Sequence, residues 1–418
     1  MRILIASPYP PWPLNCGGNV AQFSALECLA PDHEFTFVCP VYNRERMASI
    51  QELSARLPKV KWRGVYCGKD PLNPSLPFRI LRRLVREGQK WLRQRAANGR
   101  LPDYPFHPIQ RPLVAAIEDE LKAMPDLCQV EFVEMLSLGA WLPRDIPKLF
   151  IHHQLHFVYS RRFLETHGTD DYSAYLHAVM QVQELAYLRH FEGVITFSEE
   201  DRQVLQSHLP SMSIWSSPFP TPADVGIAEK LTGDFDGRFL FLALEKHEPN
   251  RDALNWLVAD IWPKITKEIP SARLVVVGHW SNAAVTKYSS SSISFAGYVE
   301  NLPKIMQNAI MLVPLRIGSG IRVKILAALA RGIPVVSTPV GAEGLLASDG
   351  EELLVCEKAP DFAAAAVKLA REPALRLSLA NAGRNAVLKH YSPQGVRQRR
   401  NEIYSNLVGK RQPASQRI

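Results

Sequence analysis

The sequence predicts an α/β protein with two doubly wound parallel sheets. Short apolar strands alternate with helical patterns in the first half of the chain, a Pro-, Ser- and Gly-rich stretch at 207–237 interrupts them, and the alternation then restarts. A chain of 418 residues that is 46% apolar is long enough to build two separate cores. We therefore predict domains over 1–215 and 216–391, with a cleft between them, followed by a helix over 392–410.

The first half opens as a strand, turn, helix and strand. An apolar run at "RILIAS" leads through a proline-rich turn to Gly17 and Gly18, and then come the helical pattern "NVAQFSALECLA" and the strand "HEFTFVCPVY". This succession is a βαβ unit, whose strands pair in parallel. Further strands are predicted at "QVEFVEM", "KLFIHHQ" and "GVITFSEE", with a long helix at "DYSAYLHAVMQVQELAYLRHF" between the last two.

The second half repeats the alternation. Strands are predicted at "RFLFLAL", "ARLVVVG", "ISFAGYV", "IMLVPLR" and "PVVSTP", and helices at "NRDALNWLVADIWPKITKEI", "NLPKIMQNA", "APDFAAAAVKLA" and "PALRLSLANAGRNAVLKHY". The last helix begins with Ser392 as its N-cap and Pro393 at the first helical position.

Composition narrows the function classes. The net charge of +8 and a pI near 9.1 indicate an anionic partner, such as a phosphate, a nucleic acid or a membrane surface. The six cysteines are scattered without metal-like or C-x-x-C spacing, so we expect a reducing compartment. No apolar run approaches the roughly 18 to 20 residues of a membrane span, and the N-terminal run is too short for a signal peptide. We expect a cytoplasmic protein.

One stretch, "PLRIGSGIRVKILAALARGIPVVSTPVGAEG", carries the main functional signal. Gly318, Ser319 and Gly320 follow a predicted strand, where ligands bind in open α/β sheets, and a helix is predicted from about Ile321 to Gly332. Glycines allow backbone N–H groups to approach a ligand, and the helix start favours an anion. Arg322 and Lys324 add two cations suited to a diphosphate, since Arg binds bidentately and Lys acts as a mobile point charge.

A purely structural interpretation of the same residues is an ordinary strand-to-helix turn with two solvated cations. Other phosphate motifs are absent, because the sequence has neither G-x-x-x-x-G-K-[ST] nor a G-x-G-x-x-G that opens a βαβ unit. A P-loop NTPase and a dinucleotide-dependent dehydrogenase are therefore disfavoured.

This stretch resembles the donor-site segment of GT-B glycosyltransferases, in particular the large retaining family 4. The resemblance extends to "PYPPWPLNCGGN", "FIHHQLHFVYSRRF", "HEPNRDALNWLVADIWP" and "FAGYVENLP", in the right order, and is weakest over about 45–130. It implies two Rossmann-like domains facing across a cleft, with the acceptor bound by 1–215 and the nucleotide sugar mainly by 216–391. It also implies that the C-terminal helix crosses back onto the first domain.

The resemblance implies roles for individual residues. The donor diphosphate would contact Gly17, Gly18, Gly318, Ser319, Gly320, Arg322 and Lys324, and the donor sugar and nucleotide would contact Glu343, Gly341, Ala342, Tyr298, Val299 and Ala327. No cofactor or divalent metal is then needed, and no D-x-D motif stands at a strand end. Glu343 has an alternative interpretation as the negative charge at a helix N-terminus.

His153 matches the active-site histidine of the family, with orientation of a sugar hydroxyl as its expected role. Two alternatives stay open. His153 can be merely structural, or His152, His153 and His156 can form a metal cluster, which no acid nearby in the sequence completes.

The chain departs from the family pattern at two positions. Relatives usually carry glutamate where this chain has Ala327, and many carry another where it has Ser319. The later glutamate normally binds the ribose hydroxyls and the earlier one the donor sugar, so ribose recognition must be supplied otherwise.

A basic amphipathic pattern covers 79–95. Apolar residues at 80, 81, 84, 85, 91 and 92 fall on one helical stripe, and seven basic residues lie mostly on the other side. Such a helix can lie on an anionic membrane and bring the enzyme to a lipid-linked acceptor. The alternative is that the stripe packs on the first domain. Nucleic-acid binding is not expected, because no recognition motif for it is present.

The sequence thus predicts a glycosyltransferase that moves a sugar from a nucleoside-diphosphate sugar to a glycan or lipid-linked acceptor. The resemblance implies retention of configuration and a role in cell-surface polysaccharide synthesis. We expect the reaction on the cytoplasmic side, with the pattern at 79–95 in contact with the plasma membrane's inner face. The rival hypothesis is a catalytically silent GT-B protein that binds glycan or a partner transferase, motivated by the two missing glutamates, and a third alternative is a nucleotide-sugar epimerase on the same fold.

Overall fold

The computed structural model describes residues 1–14, 16–68, 105–221, 226–228, 231–299 and 301–409. The described chain forms two compact units: the first comprises the residues up to Ser217 together with those from Arg399 onward, and the second runs from Pro218 to Gln398. The predicted amphipathic helix at 79–95 lies outside the described residues. Within the described ranges, no helix combines the length and apolar composition that crossing a membrane requires.

The first unit is built on a parallel sheet, in which seven strands are described, in the order β3-β2-β1-β4-β5-β6-β7. Its strands are β1 (Arg2–Ala6), β2 (Glu34–Val41), β3 (Val60–Tyr66), β4 (Leu127–Glu131), β5 (Lys148–His152), β6 (Gly193–Thr196) and β7 (Ser213–Ser216). Its helices are α1 (Gly17–Leu29), α2 (Arg44–Arg56), α3 (Arg111–Leu121), α4 (His156–His167), α5 (Asp171–Leu188) and α6 (Glu199–His208), with a 3₁₀ segment over Val133–Ala140. Every residue of β4, β5 and β6 is buried, as expected for strands covered by helices on both faces.

The second unit is built on a parallel sheet, in which six strands are described, in the order β10-β9-β8-β11-β12-β13. Its strands are β8 (Arg238–Leu242), β9 (Arg273–Val277), β10 (Ile293–Gly297), β11 (Ile310–Val313), β12 (Val335–Ser337) and β13 (Leu354–Val355). Its helices are α7 (Glu248–Trp256), α8 (Trp262–Glu268), α9 (Asn282–Tyr288), α10 (Leu302–Met306), α11 (Val323–Ala330), α12 (Pro339–Ala342), α13 (Ala359–Arg371) and α14 (Pro373–His390). The prediction of two parallel α/β sheets is confirmed.

The last helix, α15 (Pro393–Gly409), begins where the sequence predicts it. The Ser392 hydroxyl accepts a hydrogen bond from the Gly395 amide, at 3.3 Å, as an N-cap does. From Arg399 onward the helix belongs to the first unit.

Besides β13, which has only two residues and pairs with β12, two of the described strands were not predicted. β3 carries Lys61 and Arg63 among its apolar residues, and both cations bind the carboxylate of Glu120 on α3. β7 is only four residues long and lies inside the stretch that the composition identifies as a linker. Both pair with a parallel neighbour, so tertiary hydrogen bonding overrides a weak local pattern.

The helix predicted over 250–269 is interrupted. A π-helical turn over Leu257–Ile261 separates α7 from α8, which has Pro263 in its first turn. Proline has no N–H to donate and its ring clashes with the carbonyl four residues earlier, so the preceding turn widens to accommodate it.

We expect Phe239→Ala to destabilise the second unit by about 3–5 kcal/mol, because it leaves a cavity in the centre of the sheet. Phe239 is fully buried on β8, and its ring packs against Trp262 with centroids 5.7 Å apart. Phe295→Ala on the edge strand β10 is the matched control, since that ring is half-buried. Urea unfolding followed by circular dichroism measures both, and equal losses would contradict the expectation.

Candidate functional site

The loop after β11 has a backbone that only glycine adopts readily. Gly318 has φ 142° and Gly320 has φ 80°, both in the region that disfavours side chains. A Cβ on Gly318 would lie 2.5 Å from the Arg322 Nη2 atom. The two glycines therefore let the loop fold back against the arginine that follows it.

Arg322 holds this loop to a neighbouring helix. Its Nη1 donates to the carbonyl oxygens of Ser319 at 2.6 Å and Gly320 at 2.5 Å, and its Nη2 donates to the Val340 carbonyl in α12 at 3.3 Å. Arg322 is itself the N-cap residue of α11, with extended backbone (φ −89°, ψ 93°), so the helix begins at Val323 and not at the predicted Ile321. The residue that begins α11 thus carries a positive charge.

Lys324 lies in the first turn of α11, with its ammonium against the end of β8. Its Nζ donates to the Leu242 carbonyl at 2.6 Å and to Asn250 Oδ1 at 3.3 Å, and it lies 5.6 Å from the centre of the Phe241 ring. Burial, and then the charge of Arg322, lower the pKa of Lys324 to about 7. The acceptors around Lys324 that are described above carry no full negative charge, so an anion there would stabilise its charged form.

Two further side chains lie close to these cations in the second unit. His247 is the N-cap residue of α7, and its pKa is lowered by burial and by the charges of Lys324 and Arg322. Arg316 binds the buried carboxylate of Asp252 through Nε at 3.0 Å and Nη2 at 2.5 Å. The carboxylate of Asp252 is thereby engaged by its own cation, and the positive charges of Arg322 and Lys324 are not neutralised by it.

The second predicted donor segment follows β12. Thr338 caps α12, and its hydroxyl accepts a hydrogen bond from the Gly341 amide at 2.9 Å. A Cβ on Gly341 would lie 2.8 Å from the Val313 carbonyl oxygen, so this helix start packs closely on β11. Ala342 ends α12, and Glu343 follows it, half-buried. Since Glu343 is at the C-terminal end of α12, its interpretation as a helix N-terminal charge is wrong.

The remaining predicted residues of the second unit are more widely placed. Tyr298 and Val299 follow the edge strand β10, and the Tyr298 ring, which is 63% exposed, stacks on His279. Two strands, β9 and β8, separate β10 from β11. Ala327 is buried in α11 and Ser319 is buried in the loop, and neither supplies a carboxylate.

In the first unit, the predicted glycines and His153 are linked by one aromatic ring. Gly17 and Gly18 open α1, and a Cβ on Gly18 would lie 2.9 Å from the Phe132 ring. The same ring stacks on the imidazole of His153, with centroids 3.7 Å apart and an interplanar angle of 16°. Phe132 has φ 67° and ψ 144°, a strained conformation for a residue with a side chain. In this conformation the Phe132 ring lies between the glycine turn and the histidine.

His153 is held on several sides. It follows β5, its side chain is 9% exposed, and the Phe197 ring meets it edge-on at 4.8 Å. Its Nε2 lies 2.9 Å from a carboxylate oxygen of Glu131, whereas its Nδ1 is buried and has no hydrogen-bond partner among the described residues. Burial lowers the pKa of His153, although the nearby Glu131 acts to raise it. The lowered pKa favours the neutral imidazole.

The neighbouring histidines face a second acid. His152 Nε2 lies 2.9 Å from a carboxylate oxygen of Glu184 on α5, and that carboxylate also accepts hydrogen bonds from the amides of His156 and Phe157 at the start of α4, both at 3.0 Å. The expectation that no acid stands near the histidines is wrong, because α5 and β4 bring Glu184 and Glu131 to them. In the part of the chain that the structure describes, no group of His, Cys, Asp and Glu side chains has the arrangement of a metal site.

Four residues around the histidines were not predicted as part of a site: Glu131, Glu184, Phe132 and Gln129. Glu131 and Gln129 did carry a signal, because they are polar residues within the otherwise apolar strand "LCQVEF". A polar residue in a strand buried on both faces must find a partner. Glu184 carried none, since a glutamate in a long helix is ordinarily solvated.

Part of the chain is similar in sequence to known proteins. Residues 237–372 match the model of the family described as glycosyl transferases group 1. A curated relative, an uncharacterised 44.6 kDa protein in the cps region of Klebsiella pneumoniae, is 29% identical over 124 residues, which cover 27% of this chain and 32% of that protein. The match thus spans about a third of the relative's length.

Solved structures match nearly the whole chain. Sucrose-phosphate synthase from Thermosynechococcus elongatus aligns with a TM-score of 0.70 at 16% identity, over 98% of this chain and 100% of that one. HepE of Anabaena, in complex with UDP and glucose, aligns with a TM-score of 0.64 at 13% identity, over 97% and 100%. A mutant of Staphylococcus aureus TarM, in complex with fondaparinux, α-GlcNAc-glycerol and UDP, aligns with a TM-score of 0.64 at 10% identity, over 96% and 99%.

The structural alignments cover nearly the whole chain, and the loop with Arg322 and Lys324 lies inside the segment that the family model covers. The chain therefore has the fold of the GT-B glycosyltransferases, as the sequence predicts, and its residues 237–372 match the glycosyl transferases group 1.

Proposed function

We propose that this protein transfers a sugar from a nucleoside-diphosphate sugar, with UDP as the first nucleotide to test, to a glycan or lipid-linked acceptor. The observation that carries the proposal is the pair Arg322 and Lys324 beside a glycine loop at the carboxyl end of β11. The neighbour HepE binds UDP and glucose, and the TarM mutant binds UDP and fondaparinux. The relative from the cps region supports a role in polysaccharide assembly.

The chemistry follows from the charges. The bond between the anomeric carbon and the β-phosphate oxygen breaks, the acceptor hydroxyl oxygen bonds to that carbon, and its proton passes to the departing phosphate. Negative charge grows on the leaving diphosphate, so fixed cations stabilise the transition state more than the bound donor. Arg322 and Lys324 supply this charge, and we propose that no divalent metal is required.

We assign donor binding to 216–391 and acceptor binding to 1–215. Glu343, Gly341, Ala342, Tyr298 and Val299 are proposed to contact the donor sugar and nucleotide, as their places in the family pattern imply. Neutral His153 is proposed to orient a sugar hydroxyl through its unpartnered nitrogen. The reaction is proposed to retain the anomeric configuration and to take place on the cytoplasmic side of the membrane.

A second function is favoured by one observation. Neither Ala327 nor Ser319 supplies the carboxylate expected for ribose and sugar binding. A protein that had lost donor binding could keep the fold and bind glycan or a partner transferase. Lys324 weighs against this alternative, because burial disfavours its charged form and an anionic ligand would offset that cost.

Nucleotide binding should depend on Arg322. In a thermal-shift panel of UDP, GDP, ADP, CMP and dTDP, we expect one nucleotide, most readily UDP, to stabilise the protein, by about 2.7 kcal/mol at 100 times its Kd. Arg322→Ala removes a charged hydrogen bond worth about 1.5–3 kcal/mol, so it should weaken binding about 10- to 100-fold. Arg331→Ala, which removes a cation just after the C-terminal end of α11, should leave binding unchanged. No shift with any nucleotide would favour the silent binder.

The affinity for a nucleotide sugar should depend on pH through Lys324. Burial and the charge of Arg322 lower the pKa of Lys324 to about 7, and a bound diphosphate must raise it. Binding then favours the protonated form, so affinity is constant below pH 7 and falls up to about tenfold per pH unit above it. A UDP-sugar is the suitable ligand, because its diphosphate diester does not titrate in this range.

Isothermal titration calorimetry in two buffers of different ionisation enthalpy tests this linkage. At about pH 8 we expect close to one proton taken up per nucleotide sugar by the unmodified protein. Lys324→Arg, which is always charged, should abolish that uptake, and any remainder would belong to His247. Lys368→Arg on the exposed face of α13 is the control. Affinity that is independent of pH would refute the assignment.

Sugar transfer should need no metal and should retain the anomeric configuration. With the nucleotide sugar identified, transfer should persist in EDTA, and NMR of the product should show the anomeric configuration of the donor. Arg322→Lys, which keeps the charge and loses the bidentate fork, should retain more kcat than Arg322→Ala. A product of inverted configuration would contradict the proposed retaining mechanism. Loss of activity in EDTA would contradict the proposal that no metal is required.

A further inference from the structure

A chain of buried hydrogen bonds runs from the C-terminal helix to His153. The Tyr404 hydroxyl on α15 donates to Gln129 Oε1 at 2.7 Å, Gln129 Nε2 donates to Glu131 Oε1 at 2.6 Å, and Glu131 Oε2 lies 2.9 Å from His153 Nε2. Tyr404 is fully buried, and Gln129 and Glu131 are about 5% exposed. All members belong to the first unit.

Each hydrogen bond in this chain fixes the direction of the next. A tyrosine hydroxyl that donates to Gln129 requires the carbonyl oxygen of the amide to face α15, and the NH₂ group then faces Glu131. Glu131 thus uses one oxygen for Gln129 and offers the other to His153 as an acceptor. His153 must meet that acceptor with a proton on Nε2, which leaves Nδ1 without one in the neutral ring. Burial raises the pKa of Tyr404 to about 12, so the hydroxyl remains a donor at physiological pH.

Charge and packing keep the chain in place. Arg400, one helical turn before Tyr404, is 2% exposed, and it donates from Nε to the Ser217 hydroxyl at 2.9 Å and from Nη2 to the Ser217 carbonyl at 3.2 Å. Its positive charge acts on both Tyr404 and Glu131 and compensates the buried carboxylate. Its guanidinium also lies 6.0 Å from the Phe197 ring, which in turn packs edge-on against His153. The last helix therefore supports the imidazole by hydrogen bonds and by aromatic packing.

We propose that Tyr404, Gln129 and Glu131 are positioning residues that fix the His153 tautomer with its proton on Nε2, so that Nδ1 accepts a hydrogen bond from a hydroxyl of the bound sugar. The proposal rests on the proposed function for the identity of the ligand. The tautomer itself can be measured without any ligand.

The decisive variant is Glu131→Gln. The Gln129 NH₂ group would still donate to the new amide oxygen, and the new NH₂ group would face His153 Nε2 and donate to it. The histidine proton must then move to Nδ1, which turns the acceptor presented to the sugar into a donor. Long-range ¹H–¹⁵N NMR of ¹⁵N-histidine-labelled protein distinguishes the tautomers, and His153→Gln identifies the signal.

We expect the Nε2-protonated tautomer in the unmodified protein, the Nδ1-protonated tautomer in Glu131→Gln, and a mixture in Tyr404→Phe, where Gln129 loses its orienting donor. Transfer should fall about 10- to 100-fold in kcat for Glu131→Gln, because the sugar hydroxyl would lose its acceptor and face a second donor. The Kd for UDP should stay unchanged, because Arg322 and Lys324 lie in the other unit. Tyr391→Phe is the matched control, since it removes another buried tyrosine hydroxyl, which binds the Leu346 amide at 2.9 Å.

Three results would overturn the proposal: a proton on Nδ1 in the unmodified protein, the same tautomer in all variants, or full kcat in a variant whose tautomer has changed. If Glu131→Gln fails to fold, Tyr404→Phe and Gln129→Leu carry the test by the same spectrum. A failure of the proposed function is seen separately, as the expected tautomers without binding of any nucleotide or nucleotide sugar.

Discussion

Parallel strand pairing is the constraint on which the candidate site depends. In a parallel sheet all carboxyl ends lie at one edge, so residues distant in the sequence meet there. In the first unit this brings Glu131, at the end of β4, to His153, just after β5. In the second unit it brings the Lys324 ammonium to the Leu242 carbonyl at the end of β8. Without this register neither pair would form, whatever the local sequence prefers.

The second unit keeps two cations close together and partly buried, which is unfavourable by itself. Backbone carbonyl oxygens of Ser319, Gly320, Val340 and Leu242 accept hydrogen bonds from them. The Leu242 carbonyl carries only partial charge, so the Lys324 ammonium is preorganised for a ligand with more negative charge. The depressed pKa of Lys324 is the electrostatic expression of this preorganisation, and it couples nucleotide binding to proton uptake.

The first unit solves a different problem, the orientation of one neutral imidazole. Phe132 and Phe197 fix the plane of the His153 ring, and Glu131 fixes which nitrogen faces inward. The strained backbone of Phe132 shows that this placement carries a local cost, which the surrounding packing must offset. The contribution of α15, through Tyr404, explains why a helix at the end of the chain is integrated with the first unit.

Local sequence patterns are enough to predict the two parallel sheets, the glycine loop with Arg322 and Lys324, and the position of His153 after a strand. These features depend on local apolar periodicity and on residue types that have few alternative uses, so they can be recognised without coordinates. Tertiary structure decided the identity of the partners: Glu131 for His153, Glu184 for His152, and the Leu242 carbonyl for Lys324. It also decided that β3 and β7 are strands and that α11 begins after Arg322. The physical reason is that hydrogen bonds, desolvation and pKa shifts depend on distances between residues far apart in the chain, which local patterns do not contain.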